Sequence, residues 1–513
     1  DFEANDLKDI LRQFDHFVEN EMWPTREAGD REGVRLEKDG VKVPECFKKT
    51  HQSFYENGWF ALGHAEEIGG MPVPEPLALA CTSIANGANV SLCMYAALSR
   101  AAMNVIHQVG GQKQKDKYLS KLMEGTWGGT MCLTESGAGS DVGAAKTTAT
   151  PYGDGTYKIQ GSKIFISSGE SDLYENNIHL VLARTPNSPE GTKGLSLFIV
   201  PRYRIHEDGT TGESNHVSCT KIEEKMGIHG SATCEMTFGN DGECLGEMIG
   251  KEHEGIMNMF IMMNDARLYC GVQGESQANL AYMLTEQYVR ERSQFGKEII
   301  HHPDVKRMVL KMRAMVRGMR ILNFYAAHLI ELEKQGDTEA SQLIAFLTPI
   351  CKAYCSDEGF QTCVDALQVH GGYGYCSEYG IEQFVRDTKI ATIYEGTNGI
   401  QAIDFVMRKI LKDQNKTFSL FSDKVTQALN IASADWAEEV DILRNSLSEA
   451  EKLVEKFGKL ASGKEMNSVL LRSTDFLQYC GNIFVAWLLL DSAILAREKT
   501  GPNEVSPEFL KTK

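Results

Sequence analysis

The hydrophobic pattern of this chain changes period twice, and that change bounds the architecture more tightly than any single motif. From Leu7 to about Trp127 the apolar residues recur at helical spacing, with breaks at Gly29, Gly40 and the Gly69-Gly70-Met71-Pro72-Val73-Pro74-Glu75-Pro76 stretch. Then Tyr157 to Gly161 alternates, Lys163 to Ser167 follows a Gly-Ser turn, and His179 to Arg184 and Leu195 to Val200 are short apolar runs. Segments of that kind predict strands, packed as a small barrel or sandwich. From about Gly255 helical spacing returns in Ile256, Met259, Phe260 and Met263, then in Val305, Met308, Val309, Met312, Val316 and Met319, and it lasts to about Ile410. The fold class expected is α+β and multidomain: a helical N-terminal domain over 1–130, a β domain over 131–250, a helical bundle over 251–410 and a helical C-terminal extension over 411–513.

The extension opens on the polar linker Lys412-Asp-Gln-Asn-Lys416 and then carries Val440, Leu443, Leu447, Ala450, Val454 and Phe457 at steps of three and four. That spacing predicts one amphipathic helix with a narrow apolar seam. Packing on the third domain, packing on its own hairpin and contact with another subunit are all open readings of the seam. At roughly one domain per 150 residues, a chain of 513 residues predicts about three compact units.

Charge and motif content exclude several function classes. Lys and Arg total 53 against 70 Asp and Glu, a formal charge of −17 with no long basic block, which argues against nucleic-acid binding. The longest uninterrupted apolar run, Ile483 to Leu490, is closed by Asp491. That is far short of the ~18 residues of a spanning helix, so no membrane partner is expected. The first residue is Asp1, and no basic segment followed by an apolar one opens the chain. Thirteen cysteines, odd in number and scattered, predict reduced thiols and a cytoplasmic protein. There is no G-x-x-x-x-G-K-[ST], no G-x-S-x-G, no H-E-x-x-H and no C-x-x-C. No metal is expected, and Cys351, Cys355 and Cys363 read as small buried residues on a helix.

Three segments can carry chemistry. Thr134-Glu-Ser-Gly137-Ala-Gly139-Ser140-Asp141 is a turn of small residues that lets backbone N–H groups approach an anionic or heteroaromatic ligand; a plain tight turn fits equally well. Its glycine spacing misses G-x-G-x-x-G, and no strand is expected before it in the way a dinucleotide loop requires. Gln368-Val-His370-Gly371-Gly372-Tyr-Gly374-Tyr375 is a glycine-rich break between helices, suited to a ligand or a close backbone approach. In Ile393-Tyr394-Glu395-Gly396-Thr397-Asn398-Gly399-Ile400-Gln401 a single carboxylate lies among apolar residues, where a raised pKa would make it a base. A helix-capping or salt-bridged Glu395 is the other reading.

Together these segments resemble the acyl-CoA dehydrogenase family, flavoproteins that make trans-2-enoyl-CoA from acyl-CoA. The resemblance rests on Met131-Cys-Leu-Thr-Glu-Ser-Gly-Ala-Gly-Ser140-Asp141, Gly161-Ser-Lys-Ile-Phe-Ile-Ser167, Arg290-Glu-Arg292-Ser-Gln-Phe295-Gly296-Lys, Gln368-Val-His-Gly-Gly372 and Ile393-Tyr-Glu395-Gly-Thr, in the family's order over about residues 1–410. It implies FAD as cofactor and Glu395 as the base that takes the α proton. Met131, Leu133, Thr134, Gly139 and Ser140 would line the flavin, with Phe165, Ile166 and Ser167 over the ring face. Arg292, Phe295, Gln368, Val369, Gly371 and Gly372 would hold the pyrophosphate and adenine half for a neighbouring subunit, and Thr397, Asn398 and Gln401 would complete the site. Ser140, Asn264, Asp265, Arg267 and Gly396 would meet the CoA thioester. The resemblance further implies a homodimer or homotetramer and an electron-transfer flavoprotein as partner. An oxidase using O₂, a non-redox FAD-containing lyase or desulfinase, and a binding protein that keeps the fold are the alternatives.

Ser136 and Phe165 stand where the family commonly has Pro and Trp. The wording around Lys163, Gly191 and Lys225, with the long extension, resembles the larger bacterial branch that includes 3-methylmercaptopropionyl-CoA and broad-chain-length acyl-CoA dehydrogenases. Arg100 is a charge in the small-residue segment Ala96 to Met103, which in this family approaches the distal end of the acyl pocket. It is read either as a partner for a terminal carboxylate on the acyl chain or as a salt-bridged or surface residue.

Overall fold

The computed structural model describes residues 2–432 and 434–498. They divide into two compact units, Asp1–Ala266 and Arg267–Lys513, rather than the three that length predicts. The reason lies in the cores: N-terminal helices and sheet share theirs, and the C-terminal extension packs on the helices that precede it.

Unit 1 begins with helices Ala4–Phe17, Thr25–Glu32 and Glu45–Glu56 and a small hairpin, Arg35–Glu37 with Gly40–Lys42, that helical spacing did not announce. The long helix α1, Glu75–Val109, follows. The strands of the unit's large sheet are β1 Trp127–Cys132, β2 Thr148–Gly153, β3 Thr156–Ser167, β4 Asn176–Arg184, β5 Leu195–Pro201, β6 Val217–Ile222, β7 Thr233–Phe238 and β8 Leu245–Met248. They form one mixed sheet in the order β6-β7-β3-β8-β5-β4-β1, with β2 beside β3 and β4; β1 and β4 run parallel. Val181, Ala183, Phe198 and Val200 face a core containing Phe14, Phe47 and Tyr95. Their neighbours Leu180, Leu182, Leu197 and Ile199 face a second core containing Met103, Ile106 and Met259. Helices cover both sides, so β4 and β5 read as continuous apolar runs without alternation.

The Gly-Ser turn expected at 161–162 is absent. Instead β3 runs unbroken through it and changes partners, β8 for its first half and β7 for its second. Glycine is needed at 161 because a Cβ there would run into the side chain of Thr147. Between Ile166 and Lys163 the pairing with β7 slips, so β3 carries one extra residue, a bulge in which Phe165 has φ +58°.

Unit 2 contains α2, Gly255–Glu291, from Arg267 onward, then α3 Pro303–Lys334, α4 Thr338–His370, α5 Asn398–Asp404, α6 Lys416–Ile431, α7 Ala437–Ser462 and α8 Met466–Glu498. Asp337 caps α4 by accepting from Ala340 N at 3.0 Å. The expected seam of α7 is present: Leu443, Leu447, Ala450, Val454 and Phe457 are buried. It packs on α8 as a hairpin, with Phe457 edge-on to Phe476 at 5.1 Å and Tyr479 Oη donating to Ser446 O at 3.0 Å. In turn α8 lies on α4, where Tyr354 Oη donates to Asn482 Oδ1 at 2.9 Å and Gln478 Nε2 to Asp357 Oδ2 at 2.8 Å.

Among the described residues two helices, Glu75–Val109 and Met466–Arg497, are long and apolar enough to cross a bilayer by length and composition, because their apolar residues are spread among small and polar ones and not gathered in one run. The apolar windows are 61% and 44% buried within the protein.

Candidate active site

In unit 1 the segment 133–141 leaves the end of β1. The strand that the sequence reading did not expect is therefore present, but a 3-10 turn, Val142–Ala144, follows the loop where a dinucleotide fold has a helix. The loop is bonded to β3. Ile164 N donates to Thr134 O at 2.9 Å, and the fully buried Lys163 donates to Leu133 O at 3.1 Å and Glu135 Oε1 at 2.9 Å. Glu135 also accepts from Lys146 N at 2.7 Å and from Thr147 N and Oγ1 at 3.0 and 2.6 Å. Burial alone pushes this carboxyl up, but the Lys163 charge and the bonds from Lys163, Thr147 and Lys146 outweigh burial and bring it down to about 2.

The lock sets Leu133 and Thr134 beside Lys163 and Ile164 of β3, the strand that goes on to carry Phe165, Ile166 and Ser167. Ser140 and Gly139 are exposed, and neither Gly137 nor Gly139 has a neighbour within 4 Å of where a Cβ would stand. Ile166 is buried, whereas the bulge turns Phe165 outward with 60% of its surface free. Arg184 secures the next segment by donating to the carbonyls of Ala145 at 2.7 Å and of Gly143.

Also in unit 1, Asn104 Nδ2 donates to Asp265 Oδ2 at 2.9 Å, and Asn264 is exposed. Arg100 donates to Leu62 O at 2.7 Å, with the carboxylates of Glu75 and Asp265 acting on its charge. Burial outweighs the pull of those carboxylates and lowers its pKa from the ordinary guanidinium value.

The second cluster lies in unit 2, where α2 and α4 touch backbone to backbone. A Cβ on Gly274 would run into the Cys355 carbonyl, and one on Gly359 into the Gly274 carbonyl. That approach sets Arg267, Cys270 and Gln273 of α2 near Lys352 and Ser356 of α4. The loop 393–397 joins them: Tyr394 Oη donates to Gln273 Oε1, Gln401 Nε2 donates to Glu395 O at 3.0 Å, and Thr397 Oγ1 caps α5 by accepting from Ile400 N at 3.3 Å. Glu395 and Gly396 both take left-handed backbone, φ +58° and +83°. A side chain held in that region signals a constraint worth its strain.

Glu395 lies deep in the unit with part of its surface still open, and no hydrogen bond or ion pair reaches its carboxylate among the described residues. Burial pushes it up to about 7, against the pull of Arg267 and Lys352. Arg267, expected from the resemblance to meet CoA, is buried beside this base and also faces Asp404.

A third group in unit 2 holds Arg292 over the ring of Tyr373 at 5.0 Å, Tyr288 stacked on His370 at 4.2 Å, Phe295 at 93% exposure, and exposed Gln368, Gly371 and Gly372 beside buried Val369. Sequence reasoning missed Lys352, Gln273 and the Glu135–Lys163 lock. A lone Lys inside the apolar run Pro349 to Cys355 was the available signal for the first.

Four family profiles match in sequence. "Acyl-CoA dehydrogenase, N-terminal domain" covers residues 4–126, the "middle domain" 130–240, the "C-terminal domain" 253–411, and "Acetyl-CoA dehydrogenase C-terminal like" 421–513. The chain belongs to the acyl-CoA dehydrogenase family. As a member it is a flavoprotein oxidoreductase with FAD as cofactor, acting on acyl-CoA. It is 37% identical to the 3-methylmercaptopropionyl-CoA dehydrogenase of Ruegeria pomeroyi, over 100% of this chain and 89% of that protein. It is 34% identical to the broad-specificity linear acyl-CoA dehydrogenase FadE5 of Mycobacterium tuberculosis, over 97% and 86%. Among solved structures, an acyl-CoA dehydrogenase of Bacillus anthracis complexed with FAD has the same fold: TM-score 0.80, 23% identity, 98% of this chain and 83% of that one.

The residues of this acyl-CoA dehydrogenase fit the cofactor. FAD needs a flat apolar contact, close backbone and a countercharge for its pyrophosphate. In unit 1 the outward-turned Phe165 and the open glycines 137 and 139 suit the first two, and in unit 2, taken by itself, the part-exposed guanidinium of Arg292 suits the third.

Proposed function

We propose that the protein oxidises an acyl-CoA thioester to trans-2-enoyl-CoA with Glu395 as base, and that the electrons leave to an electron-transfer flavoprotein. The observation that carries this reading is a deep-set carboxylate, free of hydrogen bonds and pushed up to about 7. A base poised near neutrality both ionises and accepts a proton readily at working pH. Bound FAD supplies the acceptor for the β hydrogen, which leaves as hydride. Glu395 breaks the α C–H bond by taking its proton, and that electron pair becomes the new C=C bond. Gln401 and Tyr394 fix the backbone on either side of the base, so the carboxylate is presented without being tied.

In this reading Thr134 and Ser140 with their loop, and Phe165, Ile166 and Ser167, hold the flavin. Arg292, Phe295 and the 368–372 turn serve its adenine half in a dimer or dimer of dimers. The high exposure of Phe295 supports that assignment.

The test is an anaerobic titration of the purified protein with short, long, thioether and dicarboxylic acyl-CoAs, following the yellow flavin band, with Glu395→Gln as control. Bleaching by one thioester class, lost in Glu395→Gln, is expected. A bound flavin that no thioester reduces overturns the reading in favour of a non-redox lyase. Reoxidation of the bleached protein by an electron-transfer flavoprotein but not by O₂ separates dehydrogenase from oxidase.

A further inference from the structure

One buried charge in unit 2 acts on Glu395 without bonding to it. Lys352 lies in the middle of α4 with none of its surface exposed, in a segment from Thr348 to Ser356 where every residue is buried. An ammonium in such surroundings is costly unless other groups offset the lost water. Among the described residues it has no carboxylate in salt-bridge contact and one hydrogen bond, from Nζ to Asn398 Oδ1 at 2.7 Å. The Asn398 amide is held in that orientation, because its Nδ2 donates to Ser356 Oγ at 3.0 Å and to Ala353 O at 3.2 Å. Asn398 opens α5, the helix whose Gln401 grips the backbone carbonyl of Glu395. The lysine is therefore moored to the element that holds the base.

The charged and titratable groups around the base come from three sides. From α2, Arg267 and Cys270 face Glu395, and Tyr269 acts on Tyr394. From α4 comes Lys352, with Asp357 acting on it; from the end of α5 Asp404, and from just past it Arg408, act on Arg267. Two of these groups, Arg267 and Lys352, act directly on Glu395 as cations. Arg267 shares its charge with Asp404 as well, whereas Lys352 is bonded to Asn398 at the start of α5, next to the loop of the base.

We propose that Lys352 is a positioning residue for the reaction: its enclosed ammonium, moored on Asn398, steadies the loop of Glu395 and supplies the positive charge that an ionised base needs at that depth. This rests on the reading of Glu395 as the base. It predicts a readout that packing alone would not move, the pH at which the base becomes active.

The experiment measures the rate of anaerobic flavin reduction against pH in the FAD-loaded enzyme, using the acyl-CoA that bleaches the wild type, for Lys352→Met and Lys352→Arg. The wild-type rate rises with pH through a limb near the Glu395 value of about 7. Without the cation the base holds its proton more tightly, so in Lys352→Met the limb moves up by about one pH unit or more. At about pH 6.5 the rate then falls about tenfold, and at about pH 9 it comes back to within about threefold of the wild type. Lys352→Arg keeps the limb in place. Lys352→Gln is the second uncharged variant, read if Lys352→Met does not fold.

An unmoved limb in the uncharged variant overturns the proposal, as does an equal shift in Lys352→Arg, or the failure of both uncharged variants to fold and bind flavin. If no thioester bleaches the wild type, or if Glu395→Gln bleaches as fast, the reading of Glu395 falls and takes this inference with it. A moved limb in an enzyme that depends on Glu395 supports both.

Discussion

Glu135 of unit 1 and Glu395 of unit 2 are the same functional group, each set inside its unit with a fully buried lysine acting on it, and they end about five pH units apart, at about 2 and about 7. The presence of a lysine does not make the difference; its contact does. Glu135 receives four donors directly, one of them the ammonium at 2.9 Å, so its negative charge is worth more than burial costs it. Glu395 feels Lys352 and Arg267 only as fields, and the lysine spends its hydrogen bond on Asn398. Direct donors make a lock, whereas cations kept at one remove leave a base.

The largest expected effect breaks the comparison on activity. Glu395→Gln lowers the flavin reduction rate by about 10²- to 10⁴-fold, the usual weight of a general base, as measured by anaerobic stopped flow. A Glu135→Gln variant that retains flavin and loses as much would show that the two carboxylates are not divided into lock and base. Next comes stability: Lys163→Met leaves Glu135 enclosed without its cation and costs about 3–5 kcal/mol in urea unfolding. The double variant Lys163→Met/Glu135→Leu recovers most of that loss, and equal losses in single and double would mean that the pair is not a unit.

The pH dependence of stability sharpens the contrast, because the signs are opposite. Glu395 is raised from 4.5 to about 7, so its favourable contribution is complete below pH 4.5 and is lost as pH rises through 7. Glu395→Gln escapes that loss and is more stable than the wild type at pH 8 by on the order of 3 kcal/mol, with parity near pH 4. Glu135 is lowered from 4.5 to about 2, so it contributes fully above pH 4.5 and loses that contribution as pH falls through 2. Glu135→Gln is therefore weaker than the wild type at neutral pH and matches it near pH 2. Chemical denaturation of both variants across that range checks the crossing signs. The smallest effect concerns a single donor: Thr147→Val removes the 2.6 Å bond to Glu135 and costs about 1 kcal/mol.

Much of the secondary structure was legible, and the reason is periodicity. Continuous apolar runs at 179–184 and 195–200 are strands covered on both faces, and the three-and-four spacing from Val440 to Phe457 is one helix buried along one stripe. Both patterns are local, because a strand or helix puts its apolar residues where its own geometry repeats. The hairpin at 35–42 and the unbroken course of β3 past Gly161 were not legible. The first has too few residues to show a period. In the second, a glycine that usually marks a turn is present because Thr147, just before β2, comes close.

The site divides in the same way. Motif residues alone named the family, the flavin and Glu395 as candidate base, since each motif is short and contiguous and its chemistry is written in its residue types. Whether a carboxylate becomes a lock or a base depends on which donors arrive from distant chain. Glycines 274 and 359 bring α2 against α4, and only that approach sets Lys352 and Arg267 in the field of Glu395 while the mooring on Asn398 keeps the ammonium off it. Electrostatic balance at a buried group is a sum over neighbours in space, so the chain could state the residue types and only its folding could assign their charges to one another.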